Sequence, residues 1–236
     1  IAPLKYILMK KIKICIILSF NVLFFLLVIS PANAQTDTAI SNKNLPNFLF
    51  PEFSKCVIKL KDGQMNSAEI NYNLVEQEMV FEQEGSYMVL SNPLLVDTIF
   101  VSSRRFVPYK EEFLELVLTG TATLYINHKA TAEPLGTATA YGVRSQTASS
   151  RTYKQMYGPA GSVSLKIPDD FKIVDATEYL AERNGVKKDF SNKRQFLKIF
   201  KDKNKELEAY IDTNHINFKN LSDIIKLFNY CNEIYS

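Results

Sequence analysis

Hydrophobic residues in this chain keep one spacing up to about residue 190 and another after it. From residue 53 to 127 the period is two. Cys56, Ile58 and Leu60 alternate with Val57, Lys59 and Lys61, and Ala68, Ile70 and Tyr72 alternate with Glu69, Asn71 and Asn73. Val80-Phe81, Tyr87-Met88-Val89-Leu90, residues 96–101, 112–119 and 121–127 continue the series. Asp62-Gly63, Gly85-Ser86, Asn92-Pro93 and Gly120 punctuate it. Alternation broken by turn signals roughly every 8–12 residues predicts an antiparallel meander with one face packed and the other partly wet. Extended runs resume at 162–167 and 171–174. Asn184-Gly185 then separates residues 178–183 from 186–190. Asn-Gly between extended runs predicts a hairpin, because a type I′ turn needs positive φ at both central residues.

After residue 190 the apolar positions fall three and four apart, the spacing of a helix face. Ser191 or Asn192 can cap a helix carrying Phe196, Leu197 and Phe200. Leu207, Tyr210 and Ile211 mark a second helix ending near Asn214. Leu221, Ile224, Ile225, Phe228 and Cys231 mark a third, with Asn220 and Asp223 in a capping arrangement. The fold class is therefore α+β: a mainly antiparallel β meander, rolled or barrel-like, over residues 53–190, then a small helical tail over 191–236. The helical stripes read as core.

The start reads as an export signal. Lys10, Lys11 and Lys13 precede an apolar run at residues 14–29, which leads to Pro31-Ala32-Asn33-Ala34. Basic, apolar and small-x-small segments in that order predict a signal peptide over residues 1–34, with residues 1–8 upstream of a start at Met9. The apolar run falls short of the roughly 20 residues of a membrane span, and Gln35 stands where a lipoprotein would carry cysteine. The expectation is an exported protein, periplasmic or associated with the outer membrane, with no transmembrane segment in the mature chain. Residues 35–52 read as a mobile leader whose aromatic end packs onto the domain.

Charge narrows the partners. Without the four lysines of the leader, 24 basic residues face 25 acidic ones, so a globally basic nucleic-acid binder is not expected. Residues 35–133 carry a net charge of −5 and residues 134–236 carry +4. The basic excess is densest at 187–205. There Lys193, Arg194 and Lys198 form a candidate surface for an envelope protein or an acidic envelope component; a solvated helix face is the alternative.

Residues 129–161 are rich in Gly, Ala, Ser and Thr, with no acid after Glu133. Long loops in compact domains are either functional or disordered. Tyr141, Arg144, Arg151, Tyr153, Lys154 and Tyr157 are the binding chemistry this one offers; a flexible insertion without a ligand stands equally. Cys56 and Cys231 are the two cysteines beyond the leader. An oxidising compartment allows them to pair, and two separate buried thiols are the other reading. His128 and His215, the two histidines, read as surface positions. No G-x-S-x-G elbow precedes either, although Ser145, Ser149 and Ser150 follow His128. Glu111-Glu112 and Asp169-Asp170 are adjacent pairs, whereas glycosidase carboxyls must flank one bond from different places. No phosphate loop, dinucleotide fingerprint or metal-spaced cluster is present, so no catalytic residue, metal or cofactor is assigned.

Phe81, Val96-Asp97-Thr98, Arg105-Phe106, Leu124-Tyr125, Ala140-Tyr141-Gly142, Ser145-Gln146-Thr147 and the tail from Phe196-Leu197 through Ile211 to Tyr230 resemble an uncharacterised family of exported proteins of Gram-negative bacteria. The resemblance implies that β body and helical tail belong together and that the Ala-Tyr-Gly and Ser-Gln-Thr loop is a shared feature. It implies no activity, cofactor or site residue. The functional expectation is an exported, non-enzymatic binding or structural module of the envelope. A small-molecule or lipid carrier with a pocket in the β body is the alternative, and a hydrolase using His128 a third.

Overall fold

The computed structural model describes residues 45–138, 144–145, 153 and 162–236 of the 236-residue chain. A ten-stranded antiparallel sheet is followed by a small C-terminal region of three helices, the α+β arrangement expected. The first half of the sheet comprises β1 (Ser54–Leu60), β2 (Met65–Asn73), β3 (Glu78–Gln83) and β4 (Ser86–Val89). The second comprises β5 (Val96–Val101), β6 (Arg104–Tyr109), β7 (Glu112–Leu118) and β8 (Thr123–Asn127). Two ribbons stand apart: β9 (Ala130–Pro134) pairs with β12 (Phe171–Asp175), and β10 (Thr137–Ala138) with β11 (Arg144–Ser145). A last hairpin, β13 (Glu178–Arg183) and β14 (Val186–Phe190), joins the sheet along β8.

The strand order is β14-β13-β8-β7-β6-β5-β1-β2-β3-β4. Two meanders are thus joined where β1 pairs with β5. The end strands β4 and β14 do not pair, so the sheet is rolled and open and the barrel-like alternative does not apply. Its natural twist folds one meander over the other. Tyr72 of β2 stacks on Phe106 of β6 with centroids 6.1 Å apart, and its hydroxyl donates to the Phe113 carbonyl of β7 at 3.3 Å. Phe50, Cys56, Ile58, Ile70, Met79, Val96, Ile99 and Val101 complete this cluster, which fills the interior of the roll with side chains.

Turn chemistry fixes the register. Asn184 and Gly185 have φ of 52° and 74°, the backbone that the Asn-Gly signal predicts. Gly63 sits at φ +89° beside Asp62, whose Oδ1 accepts from the Gln64 N–H. The run at 162–167 differs from expectation. It is not a strand of the sheet. Ser162 makes a single bridge to Met88, and the Val163 N–H donates to the Tyr87 carbonyl, so this stretch lies along the end strand β4. Residues 45–52 form a strap. Phe48 and Phe50 are buried, and Asn71 pairs with the Phe50 backbone as a strand would, accepting from its N–H at 3.0 Å and donating to its carbonyl at 2.8 Å.

The tail consists of α1 (Lys193–Ile199), α2 (Asn204–Thr213) and α3 (Leu221–Ile234). Asn192 caps α1 by accepting from the Gln195 N–H. Asn220 caps α3 by accepting from Ser222 and Asp223. The Asp223 carboxylate accepts instead from the Asn217 N–H, tying down the preceding turn. Phe196, Phe200, Leu207, Ile211, Ile224, Leu227 and Phe228 bury one face of the tail on Ala122, Leu124, Ala181 and Phe190 of the sheet. Each large side chain so buried contributes about 1.5–3 kcal/mol relative to exposure. At the same seam the Asn232 amide accepts from the Ala122 N–H at 2.8 Å and donates to its carbonyl at 3.1 Å. Arg183 of β13 makes a two-pronged pair with Asp202 and lies over the Tyr235 ring at 4.0 Å.

Candidate functional site

Strand pairing aligns one row of inward-facing residues across six strands: Ile99, Phe106, Glu115, Ile126, Tyr179 and Phe190. Five are apolar or aromatic and the third is a carboxylate. Phe113 and Val117, on the same face of β7, belong to the core inside the roll and the core under the helices respectively. Glu115 therefore sits where two hydrophobic cores meet. A carboxylate in such a place must be paired. Its partners come from the neighbouring strands in the same phase: Arg104, two residues before Phe106, and His128, two after Ile126.

The three side chains form a compact cluster. Arg104 Nε donates to Glu115 Oε1 at 2.7 Å, and Nη2 donates to Oε2. His128 Nε2 lies 2.6 Å from the same Oε2 and 2.8 Å from Arg104 Nη2. The Glu115 and His128 side chains are each only 11% exposed, whereas that of Arg104 is 29% exposed. The Arg104 guanidinium lies 5.4 Å from the Phe50 ring centroid and 5.6 Å from that of Phe106. Burial by itself raises the Glu115 pKa. Hydrogen bonds from His128 and Arg104, together with the Arg104 charge, outweigh burial and hold it at about 2 against an ordinary 4.5. Glu115 is thus ionised throughout the neutral range.

The cluster opens into a cleft of about 890 Å³ between the sheet and the helical tail. Ile126, Tyr179 and Phe190 supply the sheet wall, and Phe218 and Leu221 supply the helical wall. Ser191, Gln195, Asp175, Thr177, Glu178, Asp189 and Lys219 complete the lining. Other clefts exist among the described residues. One of about 650 Å³ lies between the 45–51 strap and residues 166–173, and one of about 640 Å³ lies at the mouth of the roll by Met79, Phe81 and Phe113. The sheet–helix cleft is lined by the buried ion cluster, and neither of these two is. Its volume is that of a small-ligand site, and its five apolar or aromatic side chains share the lining with a larger number of polar and charged ones.

The residues singled out from the sequence fall elsewhere. Tyr141, Arg151, Lys154 and Tyr157 lie outside the described residues. Arg144 is described through its backbone alone, which pairs with Ala138. Tyr153 packs edge-on against Phe171 with centroids 5.9 Å apart. Lys193 is engaged within the tail, 2.8 Å from Asp212 and 3.0 Å from Glu208 of α2. Arg194 and Lys198 are exposed. The three share α1, but none lines the cleft. Cys56 and Cys231 are free thiols buried in different cores, Cys56 inside the roll and Cys231 beneath the helices, so no disulfide joins them. Burial raises both pKa values, that of Cys231 to about 12.

His128 is a correction. It was expected at the surface with His215, and it is buried where His215 is exposed. Glu115 and Arg104 were not singled out at all. The signal existed: each polar residue occupies the inward phase of an apolar strand, Arg104 with Phe106, Glu115 with Phe113 and Val117, and His128 with Leu124 and Ile126. Among the described residues no group of His, Cys, Asp and Glu could hold a metal ion, and no helix is long and apolar enough to cross a membrane.

The fold and the site together define an open, rolled antiparallel sheet with a helical tail and a ligand-sized cleft at their junction. No family model matches this chain, and neither a curated protein nor a solved structure matches it.

Proposed function

We propose that this is an exported, non-enzymatic binding module of the cell envelope whose ligand occupies the cleft between the sheet and the helical tail. The observation that carries the reading is the cleft itself: about 890 Å³ with apolar walls on both sides and a buried ion cluster at its head. Export rests on the basic, apolar, small-x-small order of the first 34 residues. The interior of the roll is occupied by Tyr72, Phe106, Phe113 and Met79, which favours the cleft over the roll as the ligand's place. Binding without turnover is favoured because His128 Nε2 is held between Glu115 and Arg104, neither of them a hydroxyl or thiol nucleophile.

Native mass spectrometry of protein recovered from the envelope of exporting cells tests the reading. The expected result is a small molecule that stays with the wild type and is lost from a Thr177→Trp variant, whose indole fills the cleft. Ligand-free wild type, or a ligand retained equally by the variant, would contradict it.

A second reading is favoured by the exposure of Arg194 and Lys198 on α1: a basic face that meets an acidic envelope partner. Charge reversal at those two positions should weaken capture by that partner. Lys193 is unsuited to the test, because its reversal also breaks its pairs with Glu208 and Asp212.

A further inference from the structure

We infer that the cleft is a saccharide site, where hydroxyls of a neutral sugar meet the spare nitrogens of Arg104 and His128 and its C–H face lies on the aromatic walls. The inference rests on the reading of the cleft as a binding site and adds the ligand's chemical class.

Two nitrogens at the head of the cleft lead to it. Arg104 spends Nε and Nη2 on Glu115, and its Nη1 makes no hydrogen bond among the described residues. His128 spends Nε2 on the same pair, 2.6 Å from Glu115 Oε2 and 2.8 Å from Arg104 Nη2. Its Nδ1 has no partner among the described residues. Both side chains line the cleft, and His128 is buried. A largely buried hydrogen-bonding atom left open is costly until something meets it. Guanidinium Nη1 only donates. Imidazole Nδ1 accepts when the ring proton is on Nε2 and donates when it is on Nδ1. A hydroxyl both donates and accepts, so it satisfies Nη1 and also satisfies Nδ1 in either tautomer. A carboxylate only accepts and an ammonium only donates, so neither fits both nitrogens in both tautomers.

The rest of the lining agrees. Arg104 and Glu115 cancel each other's charge, and Glu178 is paired with Lys129 at 2.6 Å. Asp175 and Asp189 then stand against Lys219, one excess negative charge spread over exposed side chains. Such a balance calls for neither an anion nor a polycation. Ten of the fifteen lining residues are polar or charged, so a wholly apolar ligand would strand them. A sugar presents donors and acceptors around its ring and C–H bonds on its flat side. The aromatic walls that would meet that side are held in place. Tyr179 stacks on Phe190 with centroids 6.1 Å apart, and Phe218 meets Phe190 edge-on at 6.2 Å. The negative face of an aromatic ring attracts polarised C–H bonds.

An array of neutral oligosaccharides, with sulfated and amino-sugar counterparts, probed with the labelled protein tests the inference. The wild type should capture a neutral glycan. Thr177→Trp, verified as folded by circular dichroism, should lose that capture. A version of the captured glycan lacking the hydroxyl at the head should bind about tenfold more weakly. The chain has two histidines, so His215, exposed on the tail, is an internal control. Nitrogen NMR of the imidazoles at one fixed pH should show His128 Nδ1 moved by the captured glycan and His215 unmoved. Capture of the charged counterparts alone, a bound glycan that leaves His128 Nδ1 unmoved, or equal movement of the two histidines would overturn the inference. A co-purified ligand that is lost from Thr177→Trp and is not a saccharide would overturn it and leave the cleft reading standing. A blank array together with ligand-free wild type would remove both.

Discussion

At the residue scale, Glu115 joins the stability of the fold to the chemistry of the cleft. It is buried, ionised and held by one cation and one imidazole, so removing a partner is worse than removing the whole group. Arg104→Ala leaves a carboxylate unpaired between two cores and should cost about 3–5 kcal/mol in urea denaturation. Adding Glu115→Gln to that variant should recover much of the loss; a double mutant as unstable as the single would show that Arg104 acts through its packing on Phe50 and Phe106. The pH dependence has a definite sign. The Glu115 pKa is lowered from 4.5 to about 2 on folding. Its stabilising contribution is therefore complete above 4.5 and is lost as pH falls from there toward 2. Asp202, lowered chiefly by its hydrogen bond from Arg183, acts in the same direction. Denaturant midpoints measured between neutral pH and pH 3 should fall with acid in the wild type, and less steeply in Glu115→Gln.

At the element scale, the tail is attached by shape as much as by area. Gly120, in the turn between β7 and β8, leaves room for Asn232 of α3 to pair with the Ala122 backbone. A Cβ there would lie 2.4 Å from Asn232 Oδ1. Gly120→Ala should destabilise by about 1–3 kcal/mol, the cost of stranding buried hydrogen-bonding groups. Asn232→Ala should cost a similar amount, and the double variant little more than either alone, because both remove one contact. Additive losses in thermal or chemical denaturation would separate the two residues. The aromatic knot of the tail is a different kind of joint: Phe196→Ala should cost about 3–5 kcal/mol through the cavity it leaves among Phe190, Phe200 and Phe228.

At the scale of the whole molecule, what was legible in the sequence was local and what was not was long-range. Asn184-Gly185 announced its hairpin, Asn192 and Asn220 announced their caps, and the change of period near residue 191 announced the join of sheet and helices. Each is decided by residues within a turn or two of one another. Rolled against closed depends on twist summed over ten strands, which no window of sequence contains. The run at 162–167 alternates well enough for a strand, yet whether it enters the sheet is decided by the distant strand β4 beside it. The ion cluster is legible only in phase: Arg104, Glu115 and His128 are 11 and 13 residues apart along the chain and meet through strand register. A polar residue in the inward phase of an apolar strand marks such a cluster. The basic stretch of α1 shows the converse, since Lys193 proves to be a strut between helices. The long wall of the cleft belongs to the sheet and the short wall to the tail, so the site exists only when the two are docked.

That dependence makes a crystal structure of the protein as recovered from the envelope, unstripped of whatever it carries, the most direct measurement. The account predicts bound density along Ile126, Tyr179 and Phe218 with its polar end at Arg104. A ligand seated elsewhere on the molecule, with water alone between sheet and tail, would contradict it.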